Sequence, residues 1–385
     1  MVETLRKYSA QNILQHANPK YITKVDALTK LSDTERTQLA DVEALYRFRA
    51  NDYYLSLIDW NDPEDPIRHL IVPHIHELDE WGKLDPSEEH QYTILPGLEH
   101  KYHSTALLLV SNVCGAICRY CFRKRVFLQT GKDLLNDLPA AFDYIREHHE
   151  ITNVLLTGGD PLVLSTNKLR KIIEPLLQID HVRIIRIGSK IPAFNPQRIL
   201  NDPELLELMR QCCINGKQLY AIVHFNHVNE LSDVAVQACK AIHHTGAVLA
   251  NQTPIIRRVN DSAEILADLF RKLSFVGVPP YYVFQCRPAS GNKSYAVPIE
   301  EGYQIFEQAR ARTSGLGKRA RFAMSHASGK IEIVGLSRDH IYFKYQRAAR
   351  DEDSGKFLVC KRNPDAYWLD DYDTPLQSHP LDCYQ

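Results

Sequence analysis

The 385-residue sequence has no apolar run near the roughly 20 residues that a membrane-crossing helix needs. It has no basic block longer than Arg123-Lys124-Arg125, and its formal net charge is −1, so the composition points neither to nucleic acid nor to a membrane surface. The opening residues MVETLRKYSA lack the apolar core of a secretory signal. Internal repeats are absent, and the acidic patch Asp370–Asp373 is the only biased tract. Cys212, Cys213, Cys239, Cys286, Cys360 and Cys383 are scattered and make no disulfide framework; such residues are commonly small buried hydrophobes. What is left is an ordinary globular chain, 44% hydrophobic, expected in a reducing cytoplasm. Its length suits one large domain with an appended segment, or two domains at most.

The remaining cysteines, Cys114, Cys118 and Cys121, fall in one short run, Cys-Gly-Ala-Ile-Cys-Arg-Tyr-Cys. Three closely spaced thiolates hold three irons of a [4Fe–4S] cluster and leave the fourth iron open for chemistry. The alternatives are a structural zinc loop or three unrelated buried thiols. Structural zinc usually takes four ligands from paired knuckles, and no second CxxC or suitably spaced HxxxH follows.

Residues 1–100 read as a helical amino-terminal region. The capping box Ser32-Asp-Thr-Glu35 predicts a helix starting near Thr34, with Leu39, Val42, Leu45 and Phe48 as its buried stripe. Asn61-Asp-Pro-Glu-Asp-Pro66 breaks the chain. From Ala106 short apolar runs alternate with amphipathic stretches: Ala106–Val110, Val154–Leu156, Val182–Ile187, Leu219–Val223, Val248–Ala250 and Tyr281–Phe284. Apolar runs alternating with helices mean parallel strands covered by helices. Six such units fit an α/β architecture, a partial (β/α)6 barrel over residues 101–311, with its site at the carboxyl ends of the strands. Cys114 follows the first of these strands and Thr157-Gly-Gly-Asp160 the second, so both would face the mouth. In residues 312–385 the rhythm fades into a Gly, Ser and Lys segment and a charged tail.

With Tyr120 just before its third cysteine, the loop resembles that of radical S-adenosylmethionine (SAM) enzymes. Further motifs run in order: Tyr53-Tyr-Leu-Ser-Leu-Ile-Asp59, Asp65-Pro-Ile-Arg68, Pro96-Gly-Leu-Glu-His100, Leu156-Thr-Gly-Gly-Asp160, Arg186-Ile-Gly-Ser-Lys190, His224-Phe-Asn-His227, Asn251-Gln252, Tyr281-Tyr282 and Phe284-Gln-Cys286. From about Tyr53 to Lys330 the chain resembles the lysine 2,3-aminomutase family of radical SAM enzymes, which includes glutamate 2,3-aminomutase.

That resemblance implies a radical SAM barrel with an amino-terminal helical extension and a carboxyl-terminal segment bearing a pyridoxal phosphate (PLP) lysine. It implies that Cys114, Cys118 and Cys121 ligate the cluster, that SAM chelates the open iron, and that Gly158, Gly159 and Asp160 lie beside the SAM amino group. PLP would be held as a Schiff base by Lys330 in His326-Ala-Ser-Gly-Lys330. A neutral amine is the nucleophile there, so burial or nearby positive charge must lower its pKa. Lys101 stands where relatives place a phosphate-gripping arginine, and a second such arginine corresponds to Thr105. Arg123 matches the arginine that pairs with the substrate carboxylate; its other reading is a solvated charge in a basic run. His224 and His227 would line the cavity rather than bind metal. The implied reaction begins with hydrogen abstraction from Cβ by a 5′-deoxyadenosyl radical, continues with migration of the PLP-bound nitrogen, and ends with return of the hydrogen.

Lysine-specific relatives hold the far ammonium of lysine with two aspartates. Here the residue after Gln285-Cys286 is Arg287, and Phe322-Ala-Met-Ser-His326 contains no acid. A guanidinium facing the substrate tail favours glutamate or another anionic amino acid over lysine. Lysine, free or protein-bound, is the alternative substrate, and Arg287 pairing with a protein carboxylate is the alternative role. Two other readings are a radical SAM enzyme that works without PLP and a noncatalytic iron–sulfur carrier. The expected partners are a small amino acid, a reducing donor of flavodoxin or ferredoxin type and a second copy of the chain. Zinc-stapled assembly is not expected, since only Cys360 and Cys383 lie in the tail.

Overall fold

The computed structural model describes residues 17–128, 133–373 and 375–379, so the first ten residues and Cys383 lie outside the described residues. Near the amino terminus β1 (Tyr21–Ile22) and β2 (Ala50–Asn51) pair antiparallel on either side of the helix Asp33–Leu45. The capping box forms: Glu35 N donates to Ser32 Oγ at 3.2 Å and Ser32 N donates to Glu35 Oε2 at 2.8 Å. The expected stripe is shorter than its pattern, for Leu39 and Val42 are buried while Leu45, the last helical residue, is 48% exposed. Phe48 is buried, but from chain that has left the helix at the extended residue Tyr46.

A single sheet carries the rest. Its strands are β3 (Thr93–Leu95), β4 (Leu98–Tyr102), β5 (Thr105–Ser111), β6 (Asn153–Gly158), β7 (Ile184–Ser189), β8 (Gln218–Val223), β9 (Val248–Pro254), β10 (Pro280–Phe284), β11 (Arg321–His326), β12 (Gly329–Leu336), β13 (His340–Ala348), β14 (Phe357–Lys361) and β15 (Gln377–His379), and their spatial order follows the chain. From β5 to β11 neighbours run parallel; β3 and β4 at one edge and β12 to β15 at the other are antiparallel. All six expected strands are present. The expectation of a fading rhythm after residue 312 is corrected: β11 is a seventh parallel strand and an antiparallel meander continues from it. Its strands escape an apolar-run reading because charged residues interrupt them, as Lys344 and Arg347 do in β13.

Between successive parallel strands lie the helices Leu138–Glu147, Thr166–Leu177, Pro203–Gln211, Asp233–His243, Ala263–Phe275 and Ile299–Ala311. Asp137, Ser165, Asp202 and Ser232 cap four of them with side-chain oxygens that accept from the first turn. Val154, Leu156, Ile185, Ile187 and Leu219 turn toward this helical layer and join Leu169, Ile172, Ile173 and Leu176 in the main core. Each such side chain contributes about 1.5–3 kcal/mol on burial. The opposite face is half-buried and more polar, with Thr157 and Arg186 at alternate positions of β6 and β7.

That face is concave. Eight strand spacings separate β5 from β13, roughly 38 Å in a flat sheet. Arg347 Nη1 of β13 nevertheless donates to Thr105 Oγ1 of β5 at 3.0 Å. Tyr92 Oη donates to the Ala327 carbonyl at 2.8 Å and Lys101 Nζ to the His326 carbonyl at 2.6 Å, so the β3–β5 edge is tied to the β11–β12 turn. Among the described residues no helix is long and apolar enough to cross a membrane.

Candidate functional site

The cysteine loop follows β5 and is held by the amino-terminal region. Arg49 Nε donates to the Cys114 carbonyl at 2.9 Å, Ile117 N to the Arg49 carbonyl at 2.8 Å, and Arg119 N to the Leu70 carbonyl at 3.0 Å. The side chain of Arg119, 1% exposed, forks onto fully buried Glu77 at 2.9 and 2.7 Å. Burial alone would raise the Glu77 carboxyl, but Arg119 and Lys124 outweigh it and hold the group below its usual range. Tyr120 donates its hydroxyl to Asn226 Oδ1 at 2.7 Å, and Asn292 donates to its carbonyl at 2.8 Å. The loop is therefore a fixed frame whose three thiols belong to no disulfide. Burial raises the pKa of all three, Cys118 to about 12, and for Cys114 and Cys118 the neighbouring thiols add to it. Such a set has the soft, mutually repelling donors that a cationic cluster neutralises.

Gly158 and Gly159 end β6 against this loop. Gly158 has φ +118°, and a Cβ on it would collide with the Ser111 carbonyl, as one on Gly159 would with that of Val113. Asp160 next to them accepts from Ser189 Oγ and Lys190 N, both at 2.7 Å, and from Leu162 N at 3.0 Å. Burial raises its pKa to about 6 against those bonds. Lys190 in turn pairs with buried Glu230 at 2.6 Å, and Tyr54 donates to the same carboxylate at 2.6 Å. His224 faces Gln252, and His227 caps a short turn by accepting from Asn229 N at 3.2 Å.

Lys330 is the second residue of β12. Gly329 before it has φ +152° and packs its backbone against Arg347 and Ala348, where a side chain has no room. Lys330 Nζ lies 3.9 Å from the centroid of Tyr282 and 5.3 Å from that of Phe284, and among the described residues no carboxylate pairs with it. Burial, followed by the charges of Arg186, Arg287, Arg347 and Lys101, lowers its pKa to about 7. An amine in that condition is half neutral at neutral pH and ready to capture an aldehyde. Lys101 is lowered to about 8 by burial and by Arg287.

Between the two groups sits Glu89. Arg123 donates to it through Nη2 at 2.8 Å and through Nε at 3.2 Å, and Arg125 through Nη2 at 2.7 Å. Burial would raise this carboxyl, but the guanidiniums of Arg123, Arg125 and Arg287 hold it far below the ordinary range. Arg123 also donates to Thr157 Oγ1 at 3.0 Å. The reading of Arg123 as a solvated charge is corrected: it is 8% exposed, and the basic run folds inward because Glu77, Glu89 and Asp85 receive it. Arg287 lies 3.8 Å from Glu89, stacks 3.6 Å from the centroid of Phe122 and keeps a buried Nη1 with no hydrogen-bond partner. Burial and the charge of Arg123 lower it to about 10.

Glu89, Glu77, Arg186 and Arg347 went unassigned in the sequence. Glu89 stands in Ser87-Glu-Glu-His-Gln91, which reads as a polar turn, and nothing local marks it as the shared partner of two arginines.

No family model matches the chain. A putative L-lysine 2,3-aminomutase of Aquifex aeolicus (strain VF5) is 52% identical over 354 residues, 92% of this chain and 95% of the relative. The L-lysine 2,3-aminomutase of Clostridium subterminale is 36% identical over 76% of this chain and 71% of the relative, and the glutamate 2,3-aminomutase of Clostridioides difficile (strain 630) is 34% identical over 77% and 70%. Among solved structures, a radical SAM methyltransferase from Sphaerobacter thermophilus superposes at a TM-score of 0.36 with 17% identity, over 59% of this chain and 68% of that one, too loosely to carry an argument. With the cysteine frame in place and identity of this extent along almost its whole length, the chain belongs to the 2,3-aminomutase family of radical SAM enzymes.

Proposed function

We propose that this enzyme is a PLP-dependent 2,3-aminomutase that moves the amino group of an acidic α-amino acid, glutamate or a close analogue, from Cα to Cβ. The observation that carries the substrate class is half-buried Arg287, whose Nη1 is itself buried and unsatisfied and lies 3.8 Å from the nearest carboxylate. A guanidinium in that state attracts a carboxylate tail and repels an ammonium. Arg123 would take the substrate's α-carboxylate, for a guanidinium has five N–H groups and Glu89 and Thr157 occupy three of them. Lysine is the second reading, and it is favoured by the names of the relatives at 52% and 36% identity.

Cys114, Cys118 and Cys121 hold the cluster, and Gly158, Gly159 and Asp160 shape the ground beside it for SAM. SAM held there would supply, on one-electron reduction at the cluster, the radical chemistry needed to activate a substrate C–H bond. Lys330 would hold PLP and Lys101 would hold its phosphate, and the group would supply a conjugated system able to delocalise an unpaired electron. Lys330 fits that group because among the described residues it has no carboxylate partner, is lined by Tyr282 and Phe284, and is ringed by cations. The protein's own part is to fix distances and exclude water. Reading the curved sheet as a partial (β/α)6 barrel puts these residues at its mouth. A low-potential donor of flavodoxin or ferredoxin type, a cytoplasmic setting and a homo-oligomer complete the proposal.

The test is anaerobic turnover of cluster-reconstituted, PLP-loaded enzyme with SAM and reductant, glutamate and lysine being assayed in parallel. β-Glutamate as the main product supports the assignment. β-Lysine alone removes the acidic-substrate claim and leaves the mutase. Formation of 5′-deoxyadenosine with neither product removes both.

A further inference from the structure

Lys330 and Arg347 are direct cross-strand partners on β12 and β13. The register slips between Lys330 and Ile331: Ile331 faces Tyr345 and Lys330 faces Arg347, so Gln346 is an extra, bulged residue. A regular ladder would have put Gln346 opposite Lys330. Like charges directly opposite one another in a sheet destabilise it. Here the pair is embedded rather than splayed into solvent, and Arg347 turns its guanidinium over the ring of Tyr102 at 4.6 Å. Its Nη1 donates to Thr105 Oγ1 at 3.0 Å and its Nη2 to Ser104 Oγ at 2.7 Å. Both acceptors are neutral hydroxyls, and no carboxylate lies within ion-pair distance of Arg347 among the described residues. Two of five N–H groups are used and three remain. Lys101, on the neighbouring strand β4, has donated one of three N–H groups, to the His326 carbonyl. A guanidinium and an ammonium with spare donors thus converge on the β4–β5 turn beside Lys330, and among the described residues neither forms an ion pair with an acid.

We infer that Arg347 is a phosphate-gripping residue of the PLP site, delivered by the bulge in β13 to the hydroxyl of Thr105 and acting together with Lys101 on the dianionic 5′-phosphate. The inference rests on the reading of Lys330 as the PLP lysine. It gives the carboxyl-terminal meander a share in cofactor binding, and it explains how a chain with threonine at position 105 still presents a guanidinium there: the arginine arrives from the opposite edge of the sheet. Burial lowers Arg347, and burial together with the charges of Arg186, Arg287, Arg347 and Lys101 lowers Lys330, in agreement with a site poised for an anion.

The experiment titrates full-length wild type, Arg347→Gln and Arg347→Gln/Thr105→Arg with PLP and separately with pyridoxal, which lacks the phosphate. Lysine-bound chromophore is read by absorbance, and the modified residue by mass after borohydride reduction. Loss of a charged hydrogen-bonding partner predicts PLP affinity about 10- to 100-fold weaker in Arg347→Gln, pyridoxal uptake unchanged within about twofold, and recovery of PLP affinity in the double variant. Equal weakening toward both ligands would make Arg347 a clasp that closes the sheet and overturn the inference, as would undiminished PLP binding. Wild type that takes up neither ligand at Lys330 overturns the reading of Lys330 itself, a result distinct from either.

Discussion

Around the cysteine loop the buried cations meet carboxylates: Arg119 and Lys124 share Glu77, and Lys190 meets Glu230. Around Lys330 the cations are half-buried and, among the described residues, mostly lack such partners. Arg186 donates to an amide oxygen of Asn153, Arg347 to two hydroxyls and Lys101 to a backbone carbonyl, while Arg287 reaches a carboxylate only at 3.8 Å. The first set sits on loops and short helices beyond the strand ends and the second mainly on the strands themselves, but what separates them chemically is the supply of carboxylates. The first region neutralises itself and becomes a rigid frame for thiolates. The second is left with positive charge in excess, which disfavours any further proton on Lys330 and suits an anionic ligand. Glu89 stands at the border, saturated by Arg123 and Arg125 before Arg287 can use it.

The comparison breaks most severely at Glu77. Glu77→Gln leaves Arg119 and Lys124 buried beside a neutral amide, and removal of one member of a buried pair costs about 3–5 kcal/mol. Urea unfolding should register a loss of that order together with poor retention of iron. A loss below about 1 kcal/mol would mean that the cysteine frame does not depend on self-neutralisation.

At Lys330 the effect is read in pH. Its pKa is about 7 in the folded chain against 10.5 for a free lysine, so its capture of pyridoxal should rise with a midpoint near pH 7 and vanish in Lys330→Ala. The sign for stability follows from the depressed folded value. Below about pH 7 both folded and unfolded chains carry the proton and the folded one bears the whole penalty; between about pH 7 and 10.5 the unfolded chain binds more proton and the penalty is relieved. The melting temperature of wild type relative to Lys330→Met should therefore climb as pH rises above 7. A flat difference would show that neither burial nor the neighbouring cations disfavour the proton on the amine.

Removing one of those cations is a gentler perturbation. Arg186→Gln should move the midpoint of Lys330 modification upward by about half a pH value, the equivalent of about 0.7 kcal/mol. A downward movement is incompatible with Arg186 acting through its charge.

The smallest effect is expected from the same chemical change as the first. Burial and the nearby charge of Glu89 push Glu99 up to about 8, and its Oε1 has no hydrogen-bond partner. The group is already largely protonated at neutral pH, and Glu99→Gln should alter unfolding free energy at pH 7 by less than about 0.5 kcal/mol. Glu77→Gln and Glu99→Gln measured side by side separate an ionised structural carboxylate from a neutral one.

Much of this was legible along the chain. The short apolar runs located six parallel strands because the layer facing the helices is apolar in every one of them, as Val154, Leu156, Ile185 and Ile187 illustrate. The Ser32–Glu35 capping box and the cysteine spacing were equally visible, since each is a local constraint satisfied within a few residues. The meander was obscured by charged residues on its half-exposed face, and Leu45, at the end of its helix, is left exposed because the chain turns at Tyr46.

The sequence by itself determined the family, the thiol set, the crossover pattern and Lys330 as a candidate amine, because those depend on residue identity and near spacing. Only the tertiary structure decided which carboxylate neutralises which cation. Glu89 joins Arg123 from 34 positions away, and Arg347 finds Thr105 across 242. Charge pairing is set by distance in space, which the curvature of the sheet creates and linear spacing does not encode. The same curvature turns two opposite edges of the chain into one positively charged pocket.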